Sequence, residues 1–397
     1  MQSPQRHKDA KVRKKLNIKV LLWHVFVPLR LGGKKRLFGA GSGLLFRNIF
    51  PGLSFSVLML LFASNSAEAA EAVKADTLFL SDEVINIELR SDFSAIQKDR
   101  VGTPQYHDGE LIYHTPEGKE IRLFVKIMAR GNFRLDPQNC GFPPLSLNFK
   151  KGEVKKTLFD NQDKLKLVTP CQYDRYVIDE YLIYKMYNLI TEKSFKVRLV
   201  NVLYFDTGKG KKLFEKYSFF IEHEDQVAER NNSFGINKVL TPYSLESESF
   251  RKMAVFQYMA GNKDWYITSR RNVVIMQPND TTLTPYAIPY DFDFSAFIDA
   301  DYTKPKDVPV EYLATRRVYK GLCYTTAEYN EVFAYFKSLR PLFESAIDDM
   351  PMISKSDKIA HHGYLNSFYK LIESKEMIQQ EFIDKCETRK MYNLPDN

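Results

Sequence analysis

Alternating apolar and polar positions mark the first half of the chain. This period of two predicts an initial pair of strands at 77–93. It also predicts a strand within the stretch 121–134, which begins at Ile121 and ends at Gly131. The residues between them, 94–118, contain turn signals and are predicted to form a polar connection. Four further strands are predicted from PPLSLNFKK, KLKLVTPC, FKVRLVNVLYFD and EKYSFFIEHED, the last two joined as a hairpin across TGKGKK.

Helical spacing of apolar residues appears at 173–191, with Asp174 as the expected N-cap, and at 245–261, which ends at Gly261. NVVIMQP and YAIPYDFDF predict a second hairpin, and from Glu311 onward the pattern is mostly helical. Because strands come first and helices later, the order favours an α+β fold with two lobes over a doubly wound parallel sheet.

The pattern of predicted elements and the distribution of charge together divide the chain into three segments. A net charge of +8 over 397 residues would suit a nucleic-acid partner. Residues 1–50 carry +11 and Glu68 is the only other charge before residue 70, so residues 70–397 carry −2. No nucleic-acid partner is therefore expected. The predicted divisions are a basic leader (1–69), an N-lobe rich in strands with one long helix (70–240) and a mainly helical C-lobe (241–397).

The leader has the features of an export signal. Its apolar run of eleven residues, 53–63, is too short to span a bilayer comfortably. Ala67-Glu68-Ala69 supplies small residues around a cleavage site. A signal peptide is predicted, with an uncleaved N-terminal anchor as the alternative, and a translation start placed too far upstream would explain the unusual length. We expect an exported protein of the periplasm or cell envelope that meets a membrane only through the leader, if the leader is not cleaved.

Four cysteines would lie in an oxidising compartment after export. Four cysteines allow three pairings. Their positions favour the disulfides Cys140–Cys171 and Cys323–Cys386, one in each predicted lobe. Buried free thiols are the alternative.

Two stretches, GNKDWYITSRRN and PYDFDFS, supply the residue types of a phosphoryl-transfer site. Such a site needs a carboxylate to orient the acceptor hydroxyl, Asn and Asp to hold Mg²⁺, and a cation for the donor phosphates. Asp264 lies in a loop, Asn272 opens the next strand, and Asp291 and Asp293 are expected to share one strand face. The alternative is a polar loop before an ordinary hairpin. The interval from Asp264 to Asn272 is eight residues, against about five in ordinary kinases.

Four short motifs resemble the spore-coat protein H (CotH) kinase-like family, a group of atypical kinases of the secretory type. They are ARGNFR after a strand, KYSFFIEHED at the end of a strand, NKDW in a loop, and IPYDFDFS. Their order and approximate spacing resemble the family's over residues 121–298. The resemblance implies a two-lobed, atypical protein-kinase-like fold that uses ATP and a divalent metal, Mg²⁺ or Mn²⁺.

By this resemblance, Asp264 would be the catalytic base. Asp291 would be a metal ligand with Asp293 as its close rival, and Asn272 would be a second metal ligand. Arg130 would contact phosphate or fix the geometry of the loop after its strand.

Three other residues complete the expected nucleotide site. Glu222 would shape the nucleotide pocket or pair with a lysine; for both Arg130 and Glu222 the alternative is a buried ion pair that links two strands. Lys166 alternates outward from its neighbouring leucines and is expected to clamp phosphate, with a solvated strand face as the alternative. Glu180, on the first helix, would pair with this lysine. The rival lysines are Lys150 and Lys126.

The leading expectation is an exported, Mg²⁺-dependent atypical kinase that transfers a phosphoryl group from ATP to a protein or glycan hydroxyl. A non-catalytic binding or scaffold module of the envelope is the first alternative, because a bacterial periplasm holds little ATP. Another Mg²⁺-dependent transferase that uses nucleotides, such as a nucleotidyltransferase, is the second. The discriminating feature is whether Asp264, Asn272 and Asp291 converge on one cleft beside a buried lysine.

Overall fold

The computed structural model describes residues 77–304 and 317–394, which belong to one compact unit. The predicted leader, residues 1–69, lies outside the described residues. Among the residues that are described, no helix has the length and apolar character needed to cross a membrane.

A closed barrel of seven strands is built by the first part of the described chain. The strands pair in the order β1-β2-β3-β4-β5-β7-β6, and β1 closes the barrel by pairing in parallel with β6. Apolar residues alternate inward and form a core, as the period of two predicts. The strands are β1 (Ile85–Ser91), β2 (His107–His114), β3 (Glu120–Ala129), β4 (Leu145–Phe149), β5 (Lys164–Val168), β6 (Val197–Asp206) and β7 (Lys211–Ile221).

Helices and a small sheet surround a second apolar core. The sheet has the order β10-β9-β8, with β8 (Ser233–Gly235), β9 (Val273–Pro278) and β10 (Tyr286–Pro289). The helices are α1 (Phe93–Asp99), α2 (Asp174–Asn188), α3 (Glu224–Arg230), α4 (Ser247–Ala260), α5 (Thr326–Asp348), α6 (Lys355–Glu373) and α7 (Lys375–Ile378).

Helix α2 joins the barrel to this second core. Tyr184 has its ring 5.6 Å from Phe219 on β7 and 4.8 Å from Phe292, which follows β10. Tyr187 lies 4.8 Å from Phe256 on α4. Buried aromatic contacts on several faces explain why α2 is apolar nearly all round rather than amphipathic.

The predicted two-lobed, protein-kinase-like fold with a helical C-lobe is wrong, because the strands close into a seven-stranded barrel. The predicted polar connection, 94–118, contains most of α1 and all of β2, the strand between β1 and β3. β2 begins with HDGE, residue types that are depleted in strands. The closing pair joins Ile85 to Val200, a contact so distant in sequence that no local pattern encodes it.

Both predicted disulfides are confirmed. Cys140 is bonded to Cys171, and Cys323 is bonded to Cys386. The first connects the segment after β3 to the segment after β5; the second connects the segment before α5 to the one after α7. Two disulfides and no free cysteine among the described residues fit the oxidising environment of an exported protein.

Replacing Cys140 and Cys171 together by Ala is expected to lower the free energy of unfolding by roughly 3 kcal/mol, because the bond closes a loop of 31 residues in the unfolded chain. The measurement is urea unfolding followed by circular dichroism. A variant with Cys323 and Cys386 replaced tests the second disulfide in the same way, and its free energy of unfolding should fall by a comparable amount. An unchanged urea midpoint in the first variant would contradict the prediction.

Candidate functional site

A cleft of about 570 Å³ lies between the barrel, at β5, β7 and the segment after β3, and the segments that flank the hairpin of β9 and β10. This volume is in the usual range of small-molecule sites. Glu180 lies buried on α2 and Glu222 lies away from the cleft. The other six predicted site residues all line the cleft: Arg130, Lys166, Asp264, Asn272, Asp291 and Asp293.

A tight turn at the end of α4 carries Asp264. Gly261 ends the helix with a φ of 70°, the left-handed conformation. A Cβ at this position would collide with the Tyr364 hydroxyl and lie 2.8 Å from Cβ of Ala296, so the position requires glycine. The Ala296 N–H donates to the Gly261 carbonyl at 3.2 Å, which joins the Asp264 loop to the segment after Asp293.

The Asp264 carboxylate has two partners. Its Oδ1 lies 2.5 Å from Nε of Arg271. Asn272 Nδ2 donates to the Asp264 Oδ2 at 3.1 Å and to the Asp264 carbonyl at 2.7 Å. These bonds orient the Asn272 amide, and its oxygen has no hydrogen-bond donor among the described residues. The carboxylate is therefore held in place at the cleft, with Arg271 covering one of its oxygens.

The register of β9 and β10 brings Asn272 and Asp291 to one end of the hairpin. Val273 pairs with Pro289, and the Tyr290 N–H donates to the Asn272 carbonyl at 3.0 Å. Asn272 and Asp291 both have left-handed φ values, 54° and 62°. Asn and Asp tolerate this conformation better than most residues, and strain of about 1–3 kcal/mol is characteristic of functional sites.

The prediction that Asp291 and Asp293 share one strand face is wrong. β10 ends at Pro289, and the chain then turns at Asp291, whose N–H donates to Tyr184 Oη at 2.8 Å. Because of this turn, Asp291 is exposed, whereas Asp293 is only 4% exposed. Both still line the same cleft, one at its surface and one at its floor.

A buried cluster of two carboxylates and one guanidinium underlies the cleft. Arg134 Nη1 lies 3.8 Å from Oδ2 of Asp293 and 3.9 Å from Oε2 of Glu180, and its Nη2 donates to the Thr169 carbonyl. Burial and the charge of Asp291 raise the pKa of Asp293 to about 7. Burial and the charge of Asp293 raise the pKa of Glu180 well above its usual range. With both carboxyl groups ionised, Arg134 could neutralise only one of them, so a bound cation would favour their ionised forms.

Two cations face the cleft from the barrel. Lys166 lies between the buried Leu165 and Leu167, and Arg130 directly follows β3. Burial and the charge of Arg130 lower the pKa of Lys166. Its ammonium is 5.5 Å from the ring centroid of Tyr290, and among the described residues neither cation forms an ion pair within 4 Å. Glu224 and Asp291 act on Lys166 only from a greater distance. Neighbouring like charges without a close ion-pair partner favour the binding of an anion.

The remaining predicted residues have other surroundings. Glu222 forms a buried ion pair with Arg230 on α3, with Arg230 Nε 2.9 Å from Glu222 Oε1. The alternative predicted for Glu222, a buried ion pair, is therefore what the structure has. Its partner, however, lies on a helix and not on a second strand. Glu180 is paired with Arg134 rather than with Lys166. The rival lysines, Lys150 and Lys126, are exposed and do not line the cleft.

Two arginines of the site were not predicted, Arg134 and Arg271. Arg134 is the last residue of ARGNFR and Arg271 lies in GNKDWYITSRRN, so both belong to motifs that supplied other predicted site residues. A signal for Arg134 was the aromatic and apolar residues on either side of it, since an arginine buried among them needs an anionic partner. No local signal distinguishes Arg271 from Arg270.

The cleft offers some, but not all, of the oxygen ligands that a hard cation needs. Among the described residues, no group of three or more His, Cys, Asp or Glu side chains is arranged to hold a metal by itself. Magnesium is usually bound by one or two carboxylates, water and the substrate's phosphates. Asp291, Asp293 and the free amide oxygen of Asn272 fit that pattern, in which the metal arrives with a nucleotide.

Comparison with models of known protein families and with curated proteins finds no match for this chain. Function is therefore inferred from the chemistry of the cleft. Lys166 and Arg130 face the cleft from the barrel. Asp264, Asp291 and Asp293 line it as well, with Arg271 beside Asp264 and Arg134 beside Asp293.

Proposed function

We propose that this chain is an Mg²⁺-dependent phosphotransferase that moves the γ-phosphoryl group of ATP to a hydroxyl group of a protein or glycan. The observation that carries the proposal is the convergence of Asp264, Asn272 and Asp291 on one cleft, opposite the half-buried Lys166. Phosphoryl transfer needs little more than positioning and electrostatic stabilisation, and these are the groups that supply both. The resemblance of four motifs to the spore-coat protein H (CotH) kinase-like family supports the same chemistry.

The nucleotide is placed by the two kinds of surface in the cleft. Val168, Ile221 and Phe195 give an apolar wall for the base, and Phe195 meets the edge of the Tyr290 ring at 6.0 Å. Lys166 and Arg130 then receive the phosphates. Phosphate binding supplies the anion that these two neighbouring cations lack among the described residues.

The metal ligands proposed are Asp291, Asp293 and Asn272. A magnesium ion bound there with ATP would neutralise phosphate charge and lower the cost of transfer. Arg134 and Glu180 support these ligands from beneath the cleft. Arg134 holds the Asp293 carboxylate at the floor of the cleft, and Glu180 shares that guanidinium.

In the transfer step, Asp264 accepts the proton of the acceptor hydroxyl. The hydroxyl oxygen bonds to the γ-phosphorus as the bond from that phosphorus to the bridging oxygen breaks, and ADP leaves with the electron pair. Asp264 then releases its proton to solvent. Asn272 orients the carboxylate throughout by its bond to Oδ2.

A second candidate function, nucleotide binding without transfer, is favoured by one observation. Arg271 covers Oδ1 of Asp264 at 2.5 Å, which occupies one of the base's two oxygens. A binding module would keep the Lys166 side of the cleft and leave this ion pair closed. The two functions predict different rates of phosphoryl transfer but the same MgATP affinity.

We place the protein in the periplasm or cell envelope. The two disulfides support an oxidising location. The predicted export signal, which lies outside the described residues, supports the same assignment. The source of ATP outside the cytoplasm then becomes part of the function to be tested.

The proposal is tested by thermal unfolding of the protein with and without MgATP. Saturating MgATP at a hundred times its Kd should stabilise the native state by about 2.7 kcal/mol. Lys166→Ala and Asp291→Ala should each lose most of this stabilisation, whereas Lys151→Ala, at a lysine 80% exposed on a barrel loop, should keep it. Equal stabilisation of all four proteins would remove this cleft as the nucleotide site.

A further inference from the structure

The loop that carries Asp264 is strongly basic. Residues 261–272 contain Lys263, Arg270 and Arg271 but only one acid, Asp264. Lys320 adds a fourth cation: its ammonium lies 3.7 Å from the ring centroid of Tyr266 on this loop. We call these four cations the basic rim.

Three members of the basic rim form no close ion pair among the described residues, although the charge of Lys320 acts on the Glu387 carboxylate. Among the described residues, Lys263, Arg270 and Lys320 form no ion pair within 4 Å. Arg270 donates to the neutral Asn237 side chain, and Lys320 donates to backbone carbonyls of the loop. Unneutralised cations around a catalytic residue create a positive potential that attracts an anionic partner.

The backbone of the fourth member, Arg271, is fixed independently of its side chain. Tyr266 and Arg271 exchange N–H to carbonyl hydrogen bonds of 3.0 Å in both directions. The Arg271 side chain is 59% exposed and its ion-pair partner is Asp264. Solvent screens the guanidinium end of this pair, so a competing carboxylate can draw the guanidinium away while the loop stays in place.

Three of these cations, Lys263, Arg270 and Lys320, do not line the cleft. Lys166 and Arg130 already face the cleft from the barrel and match the phosphates. The basic rim, by contrast, lies on and beside the loop that carries Asp264, so a polypeptide whose hydroxyl reaches Asp264 would pass close to these cations. Cations at both ends of a loop suit a partner with several anionic groups along an extended chain, and an acidic polypeptide has that form.

We propose that the acceptor is a polypeptide whose reacting Ser or Thr is flanked by Asp or Glu. Its carboxylates bind the basic rim, and one of them displaces Arg271 from Asp264, which frees the base only when an acceptor is present. The proposal rests on the proposed phosphotransferase function and names the substrate class of that site.

The experiment uses the full chain, MgATP and three Ser peptides that differ only in their flanking residues: Asp and Glu, Asn and Gln, or Lys. The expected kcat/KM for the acidic peptide exceeds that for the neutral peptide by about tenfold, and the difference shrinks in high salt. Arg271→Gln should reduce the ratio to near one, through KM for the acidic peptide. Arg270→Glu should shift the preference toward the Lys peptide, and Lys151→Gln, the matched surface control, should leave the ratio unchanged.

Equal kcat/KM for the three peptides, or preference for the Lys peptide in the unaltered protein, would overturn the inference. Label from ATP found in an anionic glycan but in none of the peptides would also overturn it. Mg²⁺-dependent ATP hydrolysis measured in parallel separates two failures. Hydrolysis without an acidic preference removes only the acceptor class, whereas neither hydrolysis nor transfer removes the phosphotransferase itself.

Discussion

Asp264→Asn is expected to lower phosphoryl transfer by about a thousandfold while MgATP affinity stays within about twofold of the original. The reason is that the amide keeps the size of the side chain but accepts no proton from the acceptor hydroxyl. Asp264 has no proposed contact with the nucleotide phosphates, which face Lys166 and Arg130. Transfer is measured by radiolabel incorporation and affinity by calorimetry.

Asp225→Asn is the control for this change, since Asp225 is 88% exposed on α3. It should alter neither quantity. A transfer rate in Asp264→Asn within tenfold of the original would show that Asp264 is not the base, and the loop would then serve only to hold Asn272.

The second large effect is expected at Asp293, where function and stability should change in opposite directions. Asp293→Asn removes one of two like charges beside a single arginine. The native state without ligand should therefore gain roughly 1–2 kcal/mol at pH 8, since part of the cost of an ionised buried carboxylate disappears. Stabilisation by MgATP should be lost with the metal ligand. Urea unfolding with and without MgATP measures both.

The pH dependence has a definite sign. The pKa of Asp293 is raised from 3.8 to about 7 in the folded protein, so the native state binds more protons than the unfolded state between those values. The contribution of Asp293 to the free energy of unfolding therefore falls as pH rises from about 4 to about 7 and stays low above that range. In the proposed function MgATP binds the ionised form, so it should stabilise the protein more strongly as pH rises through this range. A stabilisation independent of pH would contradict a metal role for Asp293.

Local patterns predicted the parts of this protein that local chemistry determines. The two hairpins and the buried helix α2 follow from periodicity and turn residues. The hairpin of β9 and β10 also explains why Asn272 and Asp291 were predicted together: antiparallel strands bring a residue before the first and one after the second to the same end. Gly261 was predicted as a helix end for the reason that the structure shows, its left-handed φ.

The remainder depends on contacts between residues far apart in sequence. Closure of the barrel requires β1 beside β6, and β2 begins with residues that favour turns. The partner of Glu180 is Arg134, 46 positions earlier, because the segment after β3 folds under the cleft. Asp291 turns out of its strand where the pattern alone predicts a continued strand. Such outcomes are set by packing and closure, which a single sequence does not express locally.

The central claim is transfer of the γ-phosphoryl group from ATP at this cleft. It is tested most directly by incubating the protein and Mg²⁺ with ATP labelled at either the γ- or the α-phosphate and measuring label bound covalently to protein or to an added acceptor. Incorporation is expected from the γ label alone, dependent on Mg²⁺ and lost in Asp264→Asn. Incorporation from the α label would identify a nucleotidyltransferase, and MgATP binding with no incorporation from either label would identify a binding module; both results would contradict the account.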